Sequence, residues 1–87
     1  MSVYLVTYDL RIPGRDYSAL YKEIKSLGAS ARHMESTWFV DSTLSSNAIR
    51  DRLTRVMDAN DYLFITRIAD YSGRLPQEAW DWLMRYV

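Results

Sequence analysis

Val3-Tyr4-Leu5-Val6-Thr7-Tyr8-Asp9-Leu10 is the stretch on which the fold turns. Seven of its eight residues are apolar, aromatic or β-branched, which predicts a β-strand. Val3 and Leu5 alternate to one side, and Tyr4, Val6 and Tyr8 to the other. A strand apolar on both sides is central and covered above and below. Asp9 then ends the strand on the face of Val3, Leu5 and Thr7. A carboxylate there either caps the following loop or does chemistry.

The loop Arg11-Ile12-Pro13-Gly14-Arg15 follows, with Asp16 as the expected N-cap of a helix from Tyr17. Tyr17, Leu20, Tyr21, Ile24 and Leu27 make its apolar stripe, and Gly28 ends it as a C′ residue. Ala29 to Met34 and Ser36 to Asp41 are two further strands, so close in sequence that they form a hairpin or one bent ribbon. Ser45 is the expected N-cap of a second helix, with Leu44 and Ile49 placed as a hydrophobic staple. Its buried stripe is Ile49, Leu53, Val56 and Met57. After the turn Asp58-Ala59-Asn60-Asp61 comes a strand from Tyr62 to Ile68, apolar on both faces. A last helix starts near Pro76, with Ala79, Trp80, Leu83, Met84 and Val87 on one side.

The order strand, helix, strand, strand, helix, strand, helix begins with a β-α-β-β-α-β split unit. This predicts one α+β domain over residues 1–87: a ferredoxin-like core over 3–68 with a four-stranded antiparallel sheet, and a C-terminal helical extension over 75–87. Two helices cover one sheet face. A second protomer is the simplest cover for the other, and the terminal helix its main competitor.

Composition bounds the function. Eighty-seven residues allow one domain. The formal net charge is zero, which argues against strong non-specific DNA binding. Nine of the eleven cations are Arg, the type suited to forked contacts with phosphate or carboxylate. There is no cysteine, hence no disulfide, thiolate metal site or cysteine nucleophile. No apolar run reaches the length of a membrane span and no secretion signal opens the chain, so a cytoplasmic location with no membrane partner is expected. His33, the only histidine, is a candidate acid or base. Trp38 is either a stacking platform for a base or part of the sheet core.

Tyr8-Asp9 at the end of the first strand, Leu27-Gly28, Ser36-Thr37-Trp38-Phe39-Val40 and Asp61-Tyr62-Leu63-Phe64-Ile65 together resemble the CRISPR-associated spacer-acquisition family Cas-two. The Leu5-Val6-Thr7-Tyr8-Asp9-Leu10 start, the Asp16-Tyr17-Ser18-Ala19-Leu20-Tyr21 helix and Glu35-Ser36-Thr37-Trp38 are similar to short bacterial and phage chains labelled SinR-like. That label implies a helix-turn-helix DNA binder, but here a hairpin separates the two internal helices. The Cas-two resemblance implies a homodimer with two Asp9 residues near its twofold axis, and a magnesium-dependent endonuclease. Asp9 would be the metal ligand and catalytic carboxylate, with Arg11, Arg15 and Ser36 holding a nucleic-acid phosphodiester. Two alternatives are a non-catalytic dimeric scaffold with a protein or DNA partner, and a VapD-type ribonuclease toxin. The chain departs from the family pattern in having only two arginines in the loop after Asp9, and a helix where the family adds a strand crossing to its partner.

Overall fold

The computed structural model describes all residues, Met1–Val87. Four strands, β1 (Ser2–Asp9), β2 (Ala29–Met34), β3 (Thr37–Ser42) and β4 (Tyr62–Arg67), and three helices, α1 (Ser18–Ser26), α2 (Ser46–Thr54) and α3 (Gln77–Tyr86), follow in the order β1-α1-β2-β3-α2-β4-α3. The strands form one antiparallel sheet in the order β2-β3-β1-β4, which puts the two-sided strand β1 inside it.

Alternation along β1 sends Tyr4, Val6 and Tyr8 to the face that α1 and α2 cover. They pack there with Trp38 and Val40 of β3 and with Leu20, Ile24, Ile49 and Leu53 of the helices. Those four helical residues are fully buried, each worth about 2 kcal/mol of transfer free energy. Two polar contacts fix the register of this layer. The Trp38 indole Nε1–H donates to the Tyr8 hydroxyl at 3.0 Å, and the Tyr4 hydroxyl donates to the Leu44 carbonyl at 2.8 Å.

Helix boundaries follow their caps. Asp16 was expected as the N-cap, but regular helix begins at Ser18 with Tyr17 as its N-cap; Asp16 stands one residue earlier, where it accepts the Ser18 amide at 2.9 Å. Ser45 accepts the Ala48 amide at 3.1 Å, as an N-cap does. Helix α2 ends at Thr54, leaving Val56 and Met57 half-buried beyond it. Pro76 precedes α3 as its N-cap instead of forming its first turn. Gly28 has φ +153°, and a Cβ there would overlap the backbone carbonyl of Asp41. Glycine lets α1 end against β3 at that point.

The second sheet face corrects two expectations. A second protomer was the simplest cover for it; instead α3 lies there, with Ala79 and Leu83 buried on Val3 and Phe39 and with Leu5, Ile68, Leu75, Trp80, Trp82 and Tyr86 around them. Trp82 stacks on Phe39 at 6.1 Å between ring centroids and meets Tyr86 at 4.6 Å. Met84 and Val87, placed on the apolar side by spacing, are exposed. The second correction is β4. Tyr62 and Phe64 alternate onto the α3 side but lie beyond the helix, 65% and 64% exposed, so only the other face of that strand is covered.

Candidate functional site at the end of the central strand

Antiparallel pairing gathers the predicted residues at one end of the sheet. Asp9 ends β1 directly opposite Tyr62, the first residue of β4. On the other flank, the Ser36 carbonyl accepts the Tyr8 amide at 3.1 Å and the Thr7 hydroxyl at 3.2 Å. Ser36 thus meets the residue before Asp9 through its backbone carbonyl. Thr7, Asp9, Tyr62 and Phe64 line a shallow depression of about 230 Å³ there.

The Asp9 side chain is 60% exposed, and Arg11 Nη1 donates to its Oδ2 at 2.9 Å. That bond and the Asp9 charge hold the Arg11 guanidinium more firmly protonated than an isolated arginine. The same guanidinium lies 5.5 Å from the Tyr62 ring centroid, a cation–π distance. Arg15 is engaged further along the loop, with Nη1 donating to Asp58 Oδ2 at 3.1 Å and its guanidinium 5.3 Å from the Tyr17 ring. Both predicted phosphate-binding arginines thus already hold a carboxylate.

Asp61 is the residue that sequence reasoning missed. Its Oδ1 accepts the Arg11 amide at 2.7 Å and the Tyr17 hydroxyl at 2.9 Å, and its Oδ2 accepts the Asp58 amide at 2.9 Å. Partial burial pushes this carboxyl up. The two amides, the Tyr17 hydroxyl and the Arg15 charge outweigh that and leave it below the ordinary carboxylate range. Loss of solvent around Tyr17, together with its bond to Asp61, pushes that hydroxyl up. Asp58 Oδ1 accepts the Asn60 amide at 2.9 Å, closing the turn on itself. The Asp-Ala-Asn-Asp spelling announces a turn, since Asp and Asn bond neighbouring amides. Nothing local announces that its last carboxylate reaches a loop fifty residues earlier.

No family model matches the sequence. The chain is similar to a crystal structure of a hypothetical protein, TT1823, from Thermus thermophilus. The two share 27% identity, the match covers 86% of this chain and 94% of the other, and the TM-score is 0.61. That protein is described only as hypothetical, so the likeness bears on architecture, over nearly the full length of both chains.

The remaining candidates lie apart from Asp9. His33 is half-buried beside the irregularity in β2 between Arg32 and Met34, with no hydrogen-bonded acid or base. Trp38 is 4% exposed with its N–H on Tyr8, so its ring belongs to the core and is not a platform for bases. Arg32 lies over Tyr21 at 4.7 Å and over Trp38 at 5.5 Å, capping that aromatic group from outside. No three His, Cys, Asp or Glu side chains of the chain converge as a metal-binding group, and no helix is long and apolar enough to cross a membrane.

Proposed function

We propose that this chain is a ferredoxin-like, Cas-two-type nucleic-acid-associated protein acting as a homodimer, with Asp9 as its metal-binding and catalytic carboxylate. The observation that carries the reading is the state of Asp9. It stands at the end of the central strand, largely exposed, with one arginine as its hydrogen-bonded partner and with Ser36 bonded to the residue before it. Exposed Phe64 and Tyr62 flank it on the half of the sheet face that α3 leaves open, and they give a second chain apolar surface to meet beside the acid.

One chain offers magnesium a single exposed carboxylate, already paired with Arg11, and the second copy would supply its partner. Bound there, the ion would activate water and stabilise charge on the phosphate. This chain's own part is then electrostatic and positional. Asp9 would hold the ion, while Arg11 would move from Asp9 to a phosphate oxygen with Tyr62 still under its guanidinium. The water oxygen would bond to phosphorus and give up a proton to solvent as the bond to the leaving oxygen breaks, and the leaving oxygen would take up a proton from solvent.

A second reading, a non-catalytic dimeric scaffold, is favoured by the pairing of Arg11 with Asp9 and of Arg15 with Asp58, which leaves neither guanidinium free for phosphate. Two measurements separate the readings. Light scattering of the purified chain should give twice the chain mass. Magnesium-dependent cleavage of single- and double-stranded DNA and RNA should be abolished by Asp9→Asn. A dimer without cleavage would select the scaffold, and a strict monomer would defeat both.

A further inference from the structure

The α3 side of the sheet contains an apolar cleft that shares no lining residue with the depression beside Asp9. Leu5 and Phe39 of the sheet, Ile68, and Trp80 and Leu83 of α3 line it, with the exposed Arg74 at its edge, around a volume of about 260 Å³. Leu5 sits on the central strand, yet it is only half-buried because the cleft lies over it. The segment roofing the cleft, Ala69 to Leu75, makes no backbone–backbone hydrogen bond; the flanking ones are Ile68 N–H to Val3 O at 2.8 Å and Ala79 N–H to Pro76 O at 3.0 Å. That backbone is free to adjust around a guest.

Charge at the edge selects the guest. Arg74 is exposed, no carboxylate lies within ion-pair distance of it, and it is the one charged residue among those lining the cleft. Arg74 and Leu75 lead directly into α3, whose first turn carries Glu78 against the positive end of the helix dipole, so the cationic group of the cleft is Arg74 itself. An apolar interior with a cationic edge matches an amphiphile with one anionic head. A methylene occupies about the volume of a water molecule in the liquid, ~30 Å³, so the cleft holds a chain of roughly eight or nine carbons.

We infer that this cleft binds a medium-chain monocarboxylate, its chain over Leu5 and Phe39 and its carboxylate at Arg74. The site is independent of Asp9 and of the activity proposed for it.

Octanoate titrated into the full-length protein, followed by ¹H–¹⁵N correlation spectra, tests this. Saturable shifts should appear at the Trp80 indole and at Ser72 to Leu75, with Asp9 and Tyr62 unmoved. Because Arg74 is exposed, Arg74→Glu keeps the fold, and it should weaken octanoate about tenfold while leaving 1-octanol binding unchanged. Octyltrimethylammonium should bind more weakly than octanoate to the natural chain and more tightly to the Arg74→Glu variant. Equal affinity for octanoate and 1-octanol, or octanoate binding indifferent to Arg74→Glu, would overturn the assignment of the head group. Absence of saturable shifts in the millimolar range would overturn the site.

Discussion

Asp61 accepts the backbone amide of Arg11 at 2.7 Å, which ties the entrance of β4 to the loop leaving β1. The carboxylate does not face the depression beside Asp9. It holds the loop that carries Arg11 and Arg15, and so acts on that site through the backbone.

Replacing Asp61 with Ala removes acceptors from the Arg11 amide, the Asp58 amide and the Tyr17 hydroxyl together. The net loss is about 2 kcal/mol, measurable by urea denaturation. Asp61→Asn should lose less, since one oxygen remains to accept.

Acid should unfold the protein partly through the same group. Asp61 titrates below its ordinary value of 3.8, and so do Asp16, held by the Ser18 amide, and Glu23, held by the Ser26 hydroxyl and Arg52 against an ordinary 4.5. A carboxyl depressed in the folded state adds stability that is fully present above its unfolded value and is lost as pH falls through its folded value. Stability should therefore be level above about pH 5 and should fall steadily below pH 4. The fall should be shallower in Asp61→Asn. An identical acid slope in that variant would show that Asp61 does not contribute.

Asp9→Ala tests a different property. Its side chain is 60% exposed and its single ion pair is on the surface, so the melting temperature should stay within about 2 °C of the natural chain. Loss of cleavage without loss of stability would separate a functional acid from a structural one.

The terminal helix offers a paired comparison. Leu83 is 2% exposed against the sheet and its neighbour Met84 is 81% exposed. Leu83→Ala should cost about 3 kcal/mol and Met84→Ala less than about 0.5, by chemical denaturation. Similar costs for the two would mean that α3 does not pack as described.

Gly28→Ala should be more damaging than an ordinary surface substitution. The new methyl would overlap the Asp41 carbonyl on the neighbouring strand, and φ +153° disfavours any side chain. A loss of about 3 kcal/mol or more, or failure to accumulate folded protein, is expected.

Chain order, the central place of β1, the cap at Ser45 and the glycine stop at residue 28 were all legible in the sequence. Each depends on local chemistry: alternation, a side-chain oxygen near free amides, a residue without a Cβ. Helical spacing also placed Ala79 and Leu83 correctly, but it grouped Met84 and Val87 with them, because periodicity defines a stripe and not its width. Tertiary structure decided the rest. It put α3 where a second subunit had been expected, left Tyr62 and Phe64 bare beyond the helix, and brought Asp61 to Arg11 across fifty residues. Those outcomes depend on which surfaces meet after the sheet has formed, and a contact between distant segments leaves no period or spacing in the chain that makes it.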